Sequence, residues 1–278
     1  MVSNVELTLF HSGYCTAHAA IVDPELGRGK SRFYAVWALI KHAAHGYILF
    51  DTGYHPRFYE ATKKFPGKFY AWATPVFIEQ SESAVERLQS IGIKASEINY
   101  LILSHFHADH IGGLLDFPKA KLVCSAKALQ EAKTKQGISA VRKGILKSLL
   151  PKDLEERIIF PEMLTNNFIE TTSGLKFYDL FQDGSIQLID LPGHACGMIG
   201  ALLQTQKEKI LLASDTSWSD DTFARQVLPS KWSNLFFDSW NDYCSTFKKL
   251  FLYHQNNPEV KILFTHCPDT LLYCANHV

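Results

Sequence analysis

Within Ser104-His105-Phe106-His107-Ala108-Asp109-His110, four metal-capable side chains fall within six residues. Imidazole and carboxylate together suit Zn, Mn, Fe, Co or Ni. The stretch follows Asn99–Leu103, which reads as a buried strand, and precedes Ile111-Gly112-Gly113-Leu114-Leu115, which suits a turn into a helix. A regular strand would send His105, His107 and Asp109 to one face and His110 to the other. A sharp loop lets them share two adjacent metals. Twelve histidines in 278 residues make one His-x-His pair unremarkable. Three more candidates at later strand ends change that weighting. They are His194 after the apolar run Ser185–Leu191, Asp215 after Lys209–Ala213, and His266 after Val260–Phe264.

In a layered fold, neighbouring strand ends converge on one edge. Two transition metals with a bridging carboxylate need about this many ligands and leave positions open for water and substrate. A metal pair lowers the pKa of water from about 15.7 to roughly 7, which supplies hydroxide at neutral pH. A second metal can polarise a carbonyl or phosphoryl oxygen. No Ser or Cys nucleophile is then required.

The elements that must position these residues follow from the apolar pattern. Val5–Phe10 alternates and predicts a first strand, followed by a loop over His11–His18. Arg32–Lys41 and Tyr47–Phe50 predict two further strands joined by a hairpin, the second ending in Asp51-Thr52-Gly53. Residues 54–80 interleave eight aromatic side chains with Lys and Pro. They make either a satellite hydrophobic cluster or a lid over a pocket. A helix is expected from a Ser81 cap to a stop at Gly92. A short strand over Lys121–Cys124 and a helix over Ala126–Lys135 come next, and residues 137–165 show no clear pattern. Leu175–Phe181 and Ser185–Leu191 form an expected hairpin with a turn at Asp183-Gly184. Residues 220–256 read as mainly helical. Strands then helices recur twice, before and after about residue 150. The pattern predicts an α/β sandwich with two sheets inside and helices outside.

Composition narrows the function classes. Lys+Arg and Asp+Glu are 28 each, so net charge gives no footprint for nucleic acid or an acidic membrane surface. The aromatic share of 13% fits a large core and an apolar pocket. The N-terminus shows no basic region followed by an apolar run, and no apolar run reaches about 20 residues. Neither a signal peptide nor a membrane span is expected. The six cysteines lack Cys-x-x-Cys spacing and read as reduced thiols. A cytoplasmic location follows as the expectation.

Taken together, Asp51-Thr52-Gly53, His105-x-His107-x-Asp109-His110, Pro192-Gly193-His194, Asp215 and the late His266 resemble the metallo-β-lactamase superfamily. The motifs span nearly the whole chain. The resemblance implies one four-layer αβ/βα sandwich over residues 1–278, with an aromatic lid at 54–80. It also implies two divalent transition metal ions, zinc first, with manganese, iron or cobalt as alternatives. By this analogy His105, His107 and His194 hold one metal. Asp109, His110 and His266 hold the other, and Asp215 bridges. Asp109 would also relay protons as the catalytic residue.

Within the superfamily, the chain is most similar to the N-acyl homoserine lactonase-like branch. Length, the aromatic segment before the His motif, the helical segment after Asp215 and the twelve residues after His266 all agree with it. Two positions depart. Several members place a Tyr three residues after the bridging Asp, where this chain has Trp218. An indole N–H can donate a hydrogen bond but is no acid near neutral pH. Tyr54, beside the Asp-Thr-Gly turn, is the candidate substitute. The last ligand sits in Thr265-His266-Cys267-Pro268, without the His-Asp pair often found there. The expected activity is therefore opening of a lactone or cleavage of a related ester, on a small molecule with an apolar acyl chain. Thioester or phosphoester hydrolysis, iron-dependent redox chemistry and non-catalytic ligand binding are the alternatives.

Overall fold

The computed structural model describes residues 4–25, 27, 29–164, 168–235 and 237–275. Its first strands are β1 (Val5–His18), β2 (Lys30–His42), β3 (Gly46–Phe50) and β4 (Val76–Phe77). With β5 (Ile98–Ile102), β6 (Lys121–Val123) and β7 (Ile158–Ile159) they build one sheet, in the order β4-β1-β2-β3-β5-β6-β7. The second sheet holds β8 (Phe168–Glu170), β9 (Lys176–Asp179), β10 (Ile186–Asp190), β11 (Ile199–Gln204), β12 (Lys209–Leu212) and β13 (Val260–Leu263). Its order is β13-β12-β11-β10-β9-β8.

Alternation along the strands accounts for the layering. In β2, Val36, Ala38 and Ile40 face a core shared with Ile186, Leu188, Ala201 and Ile210 of the second sheet. Ala35, Trp37 and Leu39 of the same strand face the opposite way, against helices. On the second sheet, Ile189 and Leu211 face outward to Phe247 and Leu250. One core therefore lies between the sheets and one outside each of them, so the four-layer expectation holds.

The helices are α1 (Arg57–Ala61), α2 (Gly67–Ala73), α3 (Ala84–Ser90), α4 (Ala108–Ile111), α5 (Ala126–Thr134), α6 (Gly137–Arg142), α7 (Asp220–Ala224), α8 (Trp240–Asn256) and α9 (Pro268–Ala275). α5 and α8 begin on side-chain caps. Ser125 Oγ accepts the Ala128 N–H at 3.1 Å, and Ser239 Oγ accepts the Asp242 N–H at 3.2 Å. Tyr243, Phe247, Leu250 and Tyr253 recur at helical spacing and bury one face of α8.

Several local expectations need correction. His11–His18 is strand, because its residues pair with Lys30–Val36 across a bulge between His11 and Tyr14. The Ser12-Gly13 pair reads as a loop but marks that bulge. Gly13 has φ +69°, and a Cβ there would lie 2.4 Å from the Phe77 carbonyl oxygen, so glycine lets β4 come alongside. Ser81 lies within a 3-10 turn over Gln80–Glu82, and Ser83 holds the cap position of α3. The hairpin between β9 and β10 has a longer connection than the tight turn expected, with Gln182 and Gly184 at positive φ. Residues 220–256 are mainly helical as expected, in α7 and α8 with a 3-10 turn over Lys231–Leu235 between them, and Phe236 lies outside the described residues.

At one end the two sheets are tied by His42, which is 1% exposed. Its Nδ1 accepts the N–H groups of Ala44 and His45, so its proton sits on Nε2. Nε2–H then donates to Asp183 Oδ2 at 3.1 Å and Ser185 Oγ at 3.0 Å, on the β9–β10 connection. The segment 54–80 divides in two. Tyr54 and Phe58 are 1% exposed, whereas Phe65 is 74% and Trp72 77% exposed. Among the described residues, no helix is long and apolar enough to cross a membrane. Cys15, Cys124, Cys196, Cys244 and Cys267 are free thiols, and the Cys274 side chain lies outside the described part.

Candidate metal centre

Five strands point their C-terminal ends at one edge. β3 and β5 run parallel, as do β12 and β13, while β10 is separated from β12 by the antiparallel β11. The residues that follow these strands are Asp51, Ser104-His105, His194, Asp215 and His266. The chain after β5 turns at once into α4, which puts Asp109 and His110 in its first turn. All seven side chains singled out as ligands meet here.

They meet as overlapping groups. His105, His107 and His194 each offer a ligand atom within 4.8 Å of the others, and so do Asp109, His110 and His266. His105, His110 and Asp215 form a third such group between them. Asp215 Oδ2 lies 3.2 Å from His194 Nε2 and 3.2 Å from His266 Nε2. One carboxylate oxygen thus touches a member of each outer group. Asp109 Oδ2 is 3.3 Å from His266 Nε2.

The far sides of His105, His110 and His266 are held by partners. His110 Nδ1 lies 2.8 Å from Asp51 Oδ2 and donates to it. Ser104 Oγ donates to the same oxygen at 2.7 Å and accepts from His105 Nδ1 at 3.0 Å. His266 Nδ1 donates to the Tyr34 carbonyl at 2.8 Å. With the protons on Nδ1, the Nε2 lone pairs of His105, His110 and His266 face inward. His105 Nε2, His110 Nε2 and Asp215 Oδ1 are buried without a hydrogen-bond partner. Buried polar atoms left this way need an explanation, and inward lone pairs beside two carboxylates fit the donor set of a metal site.

Electrostatics tell the same story. Burial, reinforced by neighbouring imidazoles, drives the His105 imidazole well below its usual range and His107 to about 3. Burial also outweighs Asp215 at His194, which falls to about 4. These three stay neutral and able to bind a metal. At His110, burial opposes charge, but Asp215, Asp109 and Asp51 outweigh it and raise the group to about 10. His266 is raised by Asp215 and Asp109 in the same way. The carboxylates call for positive charge, and only protons on two imidazoles or metal cations can supply it.

Backbone geometry fixes the loops that carry these groups. Asp51 and Ser214 hold positive φ, 61° and 50°, a conformation that costs energy outside glycine. Thr52 clasps the α4 turn, its N–H and hydroxyl both donating to the His110 carbonyl at 2.8 and 2.9 Å. Gly144, with φ +68°, lies against the His107 ring, where a Cβ would come within 2.4 Å of Cδ2. Its carbonyl accepts the Ala108 N–H at 3.2 Å. A Cβ on Gly193 would lie 2.1 Å from the Tyr243 backbone nitrogen, so α8 packs directly on the turn that delivers His194.

Trp218 and Tyr54 differ in placement. Trp218 is half-buried, its ring edge-on to His194 at 5.8 Å and near Phe33 and Phe237. Tyr54 is enclosed in the core, edge-on to Phe58 at 5.7 Å, and burial raises its phenol well above the ordinary value. Cys267 is buried and accepts the Asp220 N–H at 3.3 Å, on the outer side of the His266 turn. Four groups that hold the ligands were not singled out from the sequence: Asp51, Ser104, the Tyr34 carbonyl and Gly144. Asp51 alone carried a signal, as part of its turn motif.

Comparison with known proteins places this arrangement. Residues 32–254 match the model described as the metallo-beta-lactamase superfamily. An N-acyl homoserine lactonase of Bacillus cereus is 25% identical over 217 residues, covering 78% of this chain and 77% of that protein. A solved N-acyl homoserine lactone hydrolase, with N-hexanoyl-L-homoserine at its catalytic metal center, superposes with a TM-score of 0.74 at 20% identity. That match covers 99% of this chain and 97% of the other. AidC, a dizinc quorum-quenching lactonase, superposes with a TM-score of 0.65 at 18% identity, covering 96% and 89%. At these identities the superpositions show the fold.

Proposed function

The chain belongs to the metallo-beta-lactamase superfamily and is a hydrolase related to the quorum-quenching lactonases, and from that premise we propose that it is a dinuclear metal-dependent hydrolase opening an N-acyl homoserine lactone-like ring. The observation that carries the proposal is Asp215, one of whose oxygens lies 3.2 Å from both His194 and His266. His105, His107 and His194 would hold one divalent cation, and Asp109, His110 and His266 the other, with Asp215 between them. Zinc fits the imidazole-rich donor set. When bound, such a pair brings the pKa of water close to neutrality and polarises an ester carbonyl.

The chain's own residues do the rest. Asp109 takes a proton from the attacking water and returns it to the leaving alkoxide. Asp51 and Ser104 keep His110 and His105 in the tautomer that presents Nε2. Trp218 forms an apolar wall above His194 and can offer its indole N–H to substrate, taking the place of a phenol. Tyr54 lies in the core near Asp109, where its role is to pack on Phe58. Within the aromatic segment 54–80, the inward-packed Tyr70, beside Ala108, would cover the acyl chain.

Equilibrium dialysis against zinc tests the centre, and a substrate panel tests the chemistry. Two ions per chain are expected, and fewer in Asp215→Ala. Acyl lactones are expected to turn over faster than aryl esters, thioesters or phosphoesters. Turnover confined to thioesters or phosphoesters would keep the centre and discard the lactone.

A further inference from the structure

Net charge is zero for the chain, yet its charges are segregated. Residues 61–78 contain three lysines and no acid, and residues 132–152 contain five lysines, one arginine and no acid. These two segments lie together, because α2 packs on α6 and α1 packs on the turn at Lys147–Leu149. Some of the cations are neutralised. Lys63 pairs with Glu60 at 3.6 Å, Lys133 with Glu155 at 2.6 Å and Lys143 with Asp238 at 2.6 Å. Lys64, Lys68 and Arg142 are exposed and meet no carboxylate among the described residues.

The same face carries large apolar side chains in water. Phe65 is 74% exposed, Trp72 77%, Phe69 46% and Ile138 on α6 50%. Phe69 and Trp72 lie together, ring centroids 5.9 Å apart. A cluster of exposed rings on a soluble face marks an interaction surface.

We propose that the α2–α6 face docks on an anionic lipid surface. Charge complementarity selects this occupant. In a two-fold contact with a second copy, the face that bears Lys64, Lys68 and Arg142 would meet the same cationic face, an arrangement of like charges. A bilayer surface satisfies both features at once. Phe and Trp rings settle at headgroup depth, while lysine stems lie along the apolar zone and keep their ammonium groups at the phosphates. Near an anionic leaflet each lysine strengthens binding roughly fivefold. No span is involved. The face lies on the surface as a peripheral contact.

Sedimentation of the zinc-loaded 278-residue chain with vesicles is the test. Neutral phosphatidylcholine vesicles are compared with vesicles that also contain phosphatidylglycerol. Binding to the anionic vesicles, weakened by salt, is expected. Lys64→Gln with Lys68→Gln should weaken it roughly fivefold per lysine. Phe65→Ala with Trp72→Ala should weaken it as well. Unchanged melting temperature and zinc content in both double variants establish that the fold is intact. Three results overturn the proposal: no binding to either vesicle, anionic binding that survives both variants, or preference for duplex DNA over vesicles. A concentration-dependent dimer that Phe65→Ala with Trp72→Ala abolishes, without vesicle binding, would give the face to a second copy and also overturn it.

Discussion

His105, His110 and His266 each have one ring nitrogen engaged by a partner, which leaves Nε2 as the nitrogen that could hold a metal. Asp51 accepts from His110 Nδ1 at 2.8 Å while fully buried, so it orients that imidazole from outside the candidate metal cluster. Asp51→Asn is expected to weaken zinc binding roughly 10–100-fold, measured by competition with a chromogenic chelator. Unchanged affinity would remove Asp51 from the positioning role. Gly144 acts by the absence of a side chain. Gly144→Ala places a Cβ within 2.4 Å of the His107 ring and should lower the affinity for one ion more than for the other, read in the same titration. Trp218→Phe keeps the apolar wall and removes the indole N–H. A drop of at most about tenfold in kcat/KM, with zinc content intact, is expected. The metal-capable residues were legible in the sequence because their type and spacing are themselves the signal. Their supports were not, since a backbone carbonyl such as that of Tyr34 and a glycine beside a ring leave no mark of chemical identity.

Elements set where the ligands arrive. Short apolar runs named β5, β10, β12 and β13 correctly, because strands buried on both faces read as continuous hydrophobic stretches. His11–His18 misled for the opposite reason. Ser12, Gly13 and His18 look like loop, yet tertiary pairing with β2 holds them as strand. The mainly helical reading over 220–256 holds, with α7 and α8 separated by a stretch that contains Pro229. α8 matters beyond its own length, because it packs on the Gly193 turn. Leu250, fully buried against the second sheet, should cost about 2–5 kcal/mol when changed to Ala, measured by urea unfolding. His42 ties the sheets at the end remote from the ligands. His42→Ala is expected to cost about 1–3 kcal/mol by the same measurement and to leave zinc content unchanged.

At the scale of the whole molecule, two sheets back to back bring one edge of each to a common line of loops. The twofold recurrence of strands then helices foretold that arrangement. Net charge foretold less. An equal count of acids and bases concealed a face on which Lys64, Lys68 and Arg142 meet no carboxylate among the described residues, because a sum carries no positions. The converging loops join residues from Asp51 to His266, so cations held there, as proposed, would cross-link both halves of the chain. Chelation should therefore lower the melting temperature, and zinc should restore it. The most direct test is proton release during hydrolysis of N-acyl homoserine lactones by the zinc-loaded protein, with chelated and Asp215→Ala controls. Chelator-sensitive ring opening that Asp215→Ala largely removes is the predicted result. No turnover of these lactones with two ions bound, or full activity in Asp215→Ala, would contradict it.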